Sequence, residues 1–273
     1  MGIRLGTRGS ALALAQSRPV ADALGAEVVV IETSGDRGGG GPKDKERWVD
    51  AIEHALLAGH IDVAVHSAKD VPGHLASGLT LVAAAGREDP RDALVGAASL
   101  DALPEGAKVG TTSPRRRAQL LARRPDLQIV SLAGNVDTRL RKLADGEADA
   151  LVLAAAGLKR LGRGDEIGAL LDPVQFVPAP GQGTLALEAK PGFDASAVAD
   201  ADAFTALLAE RELALLLGAT CNSAVGIHRD ASHLRAWAGT PDGSHWIFDE
   251  LAAGTPSQLA ERMRAMGASE LIE

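Results

Sequence analysis

At 273 residues, with 46% hydrophobic and 23% charged side chains, the chain has the length for two or three α/β domains and the composition of a protein that buries cores. Its 36 acidic against 28 basic residues leave a net charge of −8, opposite to the footprint of a nucleic-acid or anionic-membrane binder, and 3% aromatics with no tyrosine offer few stacking platforms for single strands. The N-terminal stretch has no apolar core before a cleavage site, no apolar run approaches a membrane span, and one cysteine excludes an internal disulfide, so the chain reads as cytoplasmic with no nucleic-acid and no membrane partner.

In chain order, short β-branched runs alternate with amphipathic stretches over the first two thirds, the pattern of a mostly parallel sheet covered by helices. Strands are expected at Ile3–Thr7, Glu27–Thr33, Ile61–Val65, Leu79–Ala84, Ala107–Gly110, Leu127–Leu132, Ala150–Leu153 and Thr184–Glu188. Between them, Trp48, Val49, Ile52, Ala55 and Leu56 recur at helical spacing and predict a helix over Glu46–Ala58, with Gly59 supplying a left-handed cap. Ser113 before Pro114 reads as an N-cap with proline at the first helical position, opening a helix through Arg123, and a further helix is expected over Asp137–Asp145. A long helix around Phe204–Leu217 is followed by strands at Ala224–His228, Leu234–Ala238 and His245–Asp249 and a helix over Ser257–Met266. Asp242-Gly243 supplies the hairpin turn between the last two strands.

Two segments read as boundaries: the charged, Pro-broken Gly86–Asp92 and the Pro/Gly-rich Val177–Gly183. They divide the chain into a first domain of residues 1–86 with 184–200, a second of residues 90–177 and a third of residues 203–273. A chain that leaves one sheet, builds another and returns makes two lobes about a hinge, with room for a small molecule. Gly38–Gly41 reads as a surface loop.

Three motifs carry chemistry. Ala64–Pro72 follows a buried-type strand directly, where open α/β sheets hold ligands, and places Asp70 beside Lys69 on a loop stiffened by Val71-Pro72. From the residues alone Asp70 is either a site carboxylate or a solvated turn aspartate. Thr111–Arg117 puts hydroxyls, free N–H groups and guanidiniums at a helix N-terminus, which suits a carboxylate or phosphate but equally describes a solvated basic face. Arg8, Arg139 and Arg160 fall near other element ends. Cys221, after Gly218-Ala219-Thr220, is either a small buried hydrophobe or an attachment point. Seven histidines form no ligand pair with a nearby carboxylate motif, so no metal is expected. Gly181–Ala186 matches G-x-G-x-x-A but precedes a strand, the wrong context for a dinucleotide fold, and the glycine-rich loop lacks the G-K-[ST] ending of a P-loop.

Taken together, Thr7–Ser10 with Leu12–Gln16, the Asp70 loop, Arg87–Asp92, Gly110–Ser113, Gly134–Arg139, Ala156–Gly162 and Pro180–Gly183 stand in the order found in the porphobilinogen deaminases, and the chain resembles that family from about Ile3 to Cys221. The resemblance implies two lobes like periplasmic binding proteins, with a hinge, and a small α+β third domain. It implies a monomeric cytoplasmic transferase of tetrapyrrole biosynthesis that joins four porphobilinogen molecules into hydroxymethylbilane and releases ammonia. The cofactor implied is dipyrromethane, held by a thioether on Cys221. Asp70 matches the catalytic carboxylate. Ser67, Lys69, Thr111, Thr112, Ser113, Arg115, Arg116 and Arg139, with Asp70, match cofactor-binding positions, and Arg8, Ser10, Gln16, Arg160 and Gln182 match substrate-binding ones. The chain departs from the family pattern at Ala133, where an arginine is usual, at Asn222–Ala224, which lacks the usual proline, and around Gly38–Trp48, which keeps Lys45 but not the familiar Lys-Gly-Leu-Phe. A different class of function is a non-catalytic two-lobed receptor for small carboxylated or phosphorylated anions; a third is a cysteine-nucleophile transferase or hydrolase using His228 or His233.

Overall fold

A computed structural model describes residues 2–36, 48–220 and 222–272. The chain divides into two compact units, Met1–Glu88 with Gly183–Leu208 and Asp89–Gln182 with Ala209–Glu273.

The first unit is built on a five-stranded sheet of β1 (Arg4–Thr7), β2 (Glu27–Val30), β3 (Val63–Ser67), β4 (Thr80–Arg87) and β10 (Thr184–Ala189), ordered β2-β1-β3-β10-β4. The β1 strand is parallel to β2 and β3, while β10 runs antiparallel between β3 and β4. Helix α1 (Ala11–Leu24) starts where Ser10 accepts from Ala13 N–H, and ends at Gly25 with φ +61°. It covers one face of the sheet over Leu5, Val63, Val65, Leu185 and Leu187. Helix α2 (Asp50–Leu57) covers the opposite face with Ile52 and Leu56 over Ile61 and Ala64. Its Gly59 has φ +71°, the left-handed cap the sequence calls for. β10 is buried at every residue because it is covered on both faces.

The second unit contains a sheet of matching topology. β5 (Asp92–Val95), β6 (Lys108–Gly110), β7 (Gln128–Val130), β8 (Ala150–Ala154) and β9 (Ala169–Leu170) are ordered β7-β6-β8-β5-β9. Again one strand, β6, has two parallel neighbours, β7 and β8, and one antiparallel strand, β5, lies between β8 and β9. Helices α3 (Pro114–Arg123), α4 (Val136–Ala144) and α5 (Ala155–Arg160) follow β6, β7 and β8. The unit also holds an antiparallel sheet of β11 (Val225–Arg229), β12 (Leu234–Gly239) and β13 (Trp246–Leu251). Helix α6 (Ala201–Leu216), α7 (Pro256–Ala265) and α8 (Ala268–Ile272) complete the chain, and the last turns of α6 join α7, α8 and this sheet in a separate core around Leu213, Ile227, Leu259 and Met263.

One expectation holds and one needs correction. In each sheet four strands share one direction, the mostly parallel pattern expected, and the fifth is an inner antiparallel strand supplied by the chain just after a passage between units. The Gly86–Asp92 segment is shorter as a connection than its charge suggests: β4 runs to Arg87 and β5 begins at Asp92, whose carboxylate is buried. The chain passes between units a third time within α6. Gly38–Gly41, Lys45 and Cys221 lie outside the described residues. Among the described residues no helix is long and apolar enough to cross a membrane.

Candidate active site

In the first unit the donors gather where β1 and β3 end. Thr7, Arg8, Ser10, Gln16, Trp48, His66, Ser67 and Asp70 line an open hollow of about 440 Å³. Asp70 closes a one-turn 3₁₀ segment, Ala68–Asp70, anchored by the buried Ala68 and Val71, so the carboxylate is carried on rigid backbone directly at a strand end. Asp70 and Lys69 are both partly exposed. Gln16 Nε2 donates to Ser67 Oγ at 2.8 Å, so two residues expected to meet different ligands engage each other and tie α1 to the Asp70 segment. Ser10 spends its hydroxyl on the α1 cap.

Arg8 is held by two groups that sequence patterning did not connect with it. Its Nε donates to both oxygens of Asp36 at 3.2 Å, Nη2 also pairs with Asp36, and the guanidinium carbon lies 4.2 Å from the centre of the Trp48 ring. Burial pushes the Asp36 carboxyl up, but the hydrogen bonds from Arg8 and Thr33 outweigh it and hold it below its ordinary value. A Cβ on Gly35 would sit 2.2 Å from Trp48 Cε3, so glycine is what lets the indole lie there.

In the second unit the ends of β6 and β7 carry the other donors. Ser113 caps α3 by accepting from Arg116 N–H, and Thr111 Oγ1 accepts from Ser113 N–H at 3.1 Å. Thr111 is buried while Thr112 is exposed. The basic run behind this cap is not a solvated face. Arg115 Nη1 donates to Asp92 Oδ2 at 2.7 Å and to Val177 O at 2.8 Å, while Arg116 Nε donates to Asp92 Oδ1 at 2.9 Å and Nη1 to Val152 O at 3.0 Å. The carboxylate these two forks hold is therefore the chain's own Asp92, 0% exposed against 4% and 6% for the arginines. Burial pushes Asp92 up, but the two guanidiniums more than reverse this and hold it well below the usual carboxylate range. Gln182, expected as a substrate contact, belongs to the same network: Nε2 donates to Pro90 O at 2.7 Å and Asp92 Oδ1 at 3.0 Å, and it is 1% exposed. Arg115 Nε is buried without a hydrogen-bond partner among the described residues. Arg139 lies on α4 and Arg160 closes α5, both partly exposed, and Ala133 is exposed in the loop before α4.

Two α/β units of one topology, each with polar donors at the carboxyl ends of its parallel strands and one of them with an accessible carboxylate, define a protein that binds small anionic molecules and has the means to move a proton. The chain belongs to the porphobilinogen deaminase family: the family's sequence model, described as "Porphobilinogen deaminase, dipyromethane cofactor binding domain", matches residues 3–197. It is similar to a protein named porphobilinogen deaminase from Deinococcus radiodurans, 43% identical over 99% of this chain and 98% of that one. A Thermus thermophilus protein of the same name is 44% identical over 90% of this chain and 88% of its own length. Among solved structures, the periplasmic VFT2 domain of Bordetella pertussis BvgS is similar at 18% identity and a TM-score of 0.40, covering 77% of this chain and 86% of that one. Relatives so named do not favour the non-catalytic receptor.

Proposed function

We infer that this chain is a transferase that joins four porphobilinogen molecules head to tail into hydroxymethylbilane, with loss of ammonia at each addition and uptake of one water when the bond to the primer breaks and the finished chain leaves. The observation that carries the reading is the partly exposed Asp70 carboxylate in a polar hollow beside Arg8 and Ser67, in a chain of this family.

The chemistry follows from the donor set. When the aminomethyl C–N bond of porphobilinogen breaks, ammonia leaves and the remaining azafulvene carries positive charge delocalised onto the pyrrole nitrogen. A carboxylate beside that N–H stabilises the cation, and Asp70 takes that role. The α-carbon of the acceptor ring then forms the new C–C bond and gives up its proton, which Asp70 relays to solvent. Each ring carries an acetate and a propionate, so the site must neutralise a polyanion. Arg8, Lys69, Arg139 and Arg160 supply cations, and Thr111, Thr112 and Ser113 supply hydroxyls at the α3 N-terminus, whose positive dipole end favours a carboxylate.

A dipyrromethane cofactor fits this set: its acidic side chains require such donors, and the buried, unpartnered Arg115 Nε is a donor left over after Asp92 is served. Bound through a thioether to Cys221, it supplies the primer from which the chain grows. Arg116 and Gln182 contribute by fixing Asp92 at the start of β5, and Gln16 by fixing Ser67. The protein works as a monomer in the cytoplasm, and its single cysteine suits a reducing compartment; sedimentation at micromolar concentration tests the first point.

The deciding experiment is the intact mass of the denatured protein beside Cys221→Ser. A thioether survives denaturation, so an added mass of two porphobilinogen units less their ammonia, absent in the variant, is expected. An unmodified mass after exposure to porphobilinogen overturns the reading.

A further inference from the structure

Behind the Asp70 hollow, on the α2 face of the first sheet, three ionisable side chains interrupt an otherwise apolar layer. Glu188 on β10 is 0% exposed, and its Oε2 lies 3.0 Å from Nε2 of the buried His66 at the end of β3. The pair is not aligned as a hydrogen bond, and neither Glu188 oxygen has another donor among the described residues. The third member, Glu53 on α2, is within hydrogen-bonding reach of Glu188, and its Oε1 accepts from Ala76 N–H at 3.0 Å.

A carboxylate beside the buried Glu188 is disfavoured as an anion, and a shared proton relieves the repulsion. Burial pushes the Glu53 carboxyl up, and Glu188 pushes it further, against the opposing hydrogen bond from Ala76. Both effects favour the protonated form of Glu53, which has a donor to offer Glu188, while Glu188 Oε2 faces His66. The chain of contacts runs Ala76 N–H, Glu53, Glu188, His66. Its two ends bracket the Asp70 segment: His66 precedes Ser67–Asp70 and lines the hollow, while Ala76 lies on the loop that leaves it.

We propose that Glu53 and Glu188, acting through His66 and Ala76, are positioning residues that fix the Asp70 segment at both ends. A buried polar network specifies one geometry when every member is satisfied and loosens it when one is not. The assignment deepens the transferase reading and rests on it for its catalytic consequence, though not for the structural one.

The substitutions separate proton-sharing from packing. Glu53→Gln keeps an acceptor for Ala76 and places a permanent donor toward Glu188, so it imitates the protonated carboxyl. Glu53→Ala and Glu188→Gln remove a link. In the cofactor-loaded protein, Glu53→Gln is expected to match the parent in amide hydrogen exchange over residues 67–79 and in kcat. Glu53→Ala and Glu188→Gln are expected to raise exchange in that segment and lower kcat about ten- to a hundredfold, the scale of a misplaced reacting group, with KM little changed. Should Glu188→Gln fail to fold, the contrast between the two Glu53 variants decides alone, since that side chain is only half-buried. Unchanged exchange in Glu53→Ala, or equal damage from Glu53→Gln and Glu53→Ala, overturns the proposal. If the parent takes up no porphobilinogen, the transferase reading falls while the exchange contrast still decides the network.

Discussion

Replacing Asp92 by asparagine tests how much of the second unit hangs on one buried carboxylate. Asp92 accepts from Arg115, Arg116 and Gln182, and through them ties the first residue of β5 to the first turn of α3 and to the segment leading into β10. Asparagine keeps the volume but leaves two guanidiniums buried without a counter-charge. Breaking a buried pair by removing one partner costs about 3–5 kcal/mol. Here two pairs lose the same partner, so at least about 4 kcal/mol is expected, a large part of the roughly 5–15 kcal/mol that holds a domain together. Urea unfolding followed by circular dichroism should show the midpoint falling by about 1–2 M at an m-value near the upper end of about 1–3 kcal/mol/M. The effect also has a pH signature. Asp92 is held below its unfolded value, which is about 3.9. Its stabilisation is therefore fully present above that value and is lost as pH falls through the folded one. The gap between parent and Asp92→Asn is expected to be widest near neutrality and to narrow as pH drops below about 4. A midpoint within about 0.3 M of the parent at pH 7 would refute the reasoning, because it would mean the two arginines find water or other partners at little cost.

Other consequences are quicker to check. Asp70→Asn should lower turnover of porphobilinogen by about 10²–10⁴, the usual worth of a positioned acid/base, while leaving the melting temperature near the parent's; near-parental turnover would move the role elsewhere. Ala133 is exposed beside the α4 cap, so Ala133→Arg adds a cation without displacing packing, and it should reduce the fraction of partly elongated adducts seen by mass spectrometry during turnover; an unchanged distribution would show that this position plays no part in elongation. Gly243 has φ +71°, and a Cβ there would come within 2.5 Å of Ala118 O and Ala122 N on α3. Gly243→Ala should therefore cost more than about 1 kcal/mol in urea unfolding, and a smaller loss would mean that the hairpin swings away from the helix freely.

What the sequence made legible was local. Ser113-Pro114 opens α3 at the expected residue because the cap and the proline at the first helical position act within one turn. Gly59 ends α2 for the same kind of reason. Asp70 could be named as a candidate because a loop at a buried strand's end is a position, and position can be read without knowing the partners. β5 was missed because Ala93-Leu94-Val95 is a short apolar run behind a charged, Pro-broken segment. It is a strand because β8 and β9 pair with it from more than fifty residues further along the chain. Arg115 and Arg116 looked like an anion site for the same reason: their carboxylate lies 23 and 24 residues earlier, in the strand that patterning did not show. The contacts of Arg8 with Asp36 and Trp48 escaped notice because an ion pair and a ring contact across 28 and 40 residues leave no periodicity.

The matching topology of the two sheets hides in the sequence for a physical reason. In the second unit the inner antiparallel strand, β5, is the first strand laid down after the chain arrives; in the first unit it is β10, laid down only after the chain has returned. The same spatial order β-2-1-3-inner-4 is thus written in two different sequential orders, and a search for a repeat at fixed spacing meets no register. The consequence reaches the site. β10 pairs with β3 along its whole length, including Ser67 opposite Leu185 and His66 opposite Ala186, so the strand that ends in the Asp70 segment has an unpaired edge until residues 184–189 arrive. Glu188 arrives with them. The buried layer behind the hollow is therefore completed by the segment with which the chain returns to the first unit, and Asp70 gains its full support only in a chain that has also passed through the second.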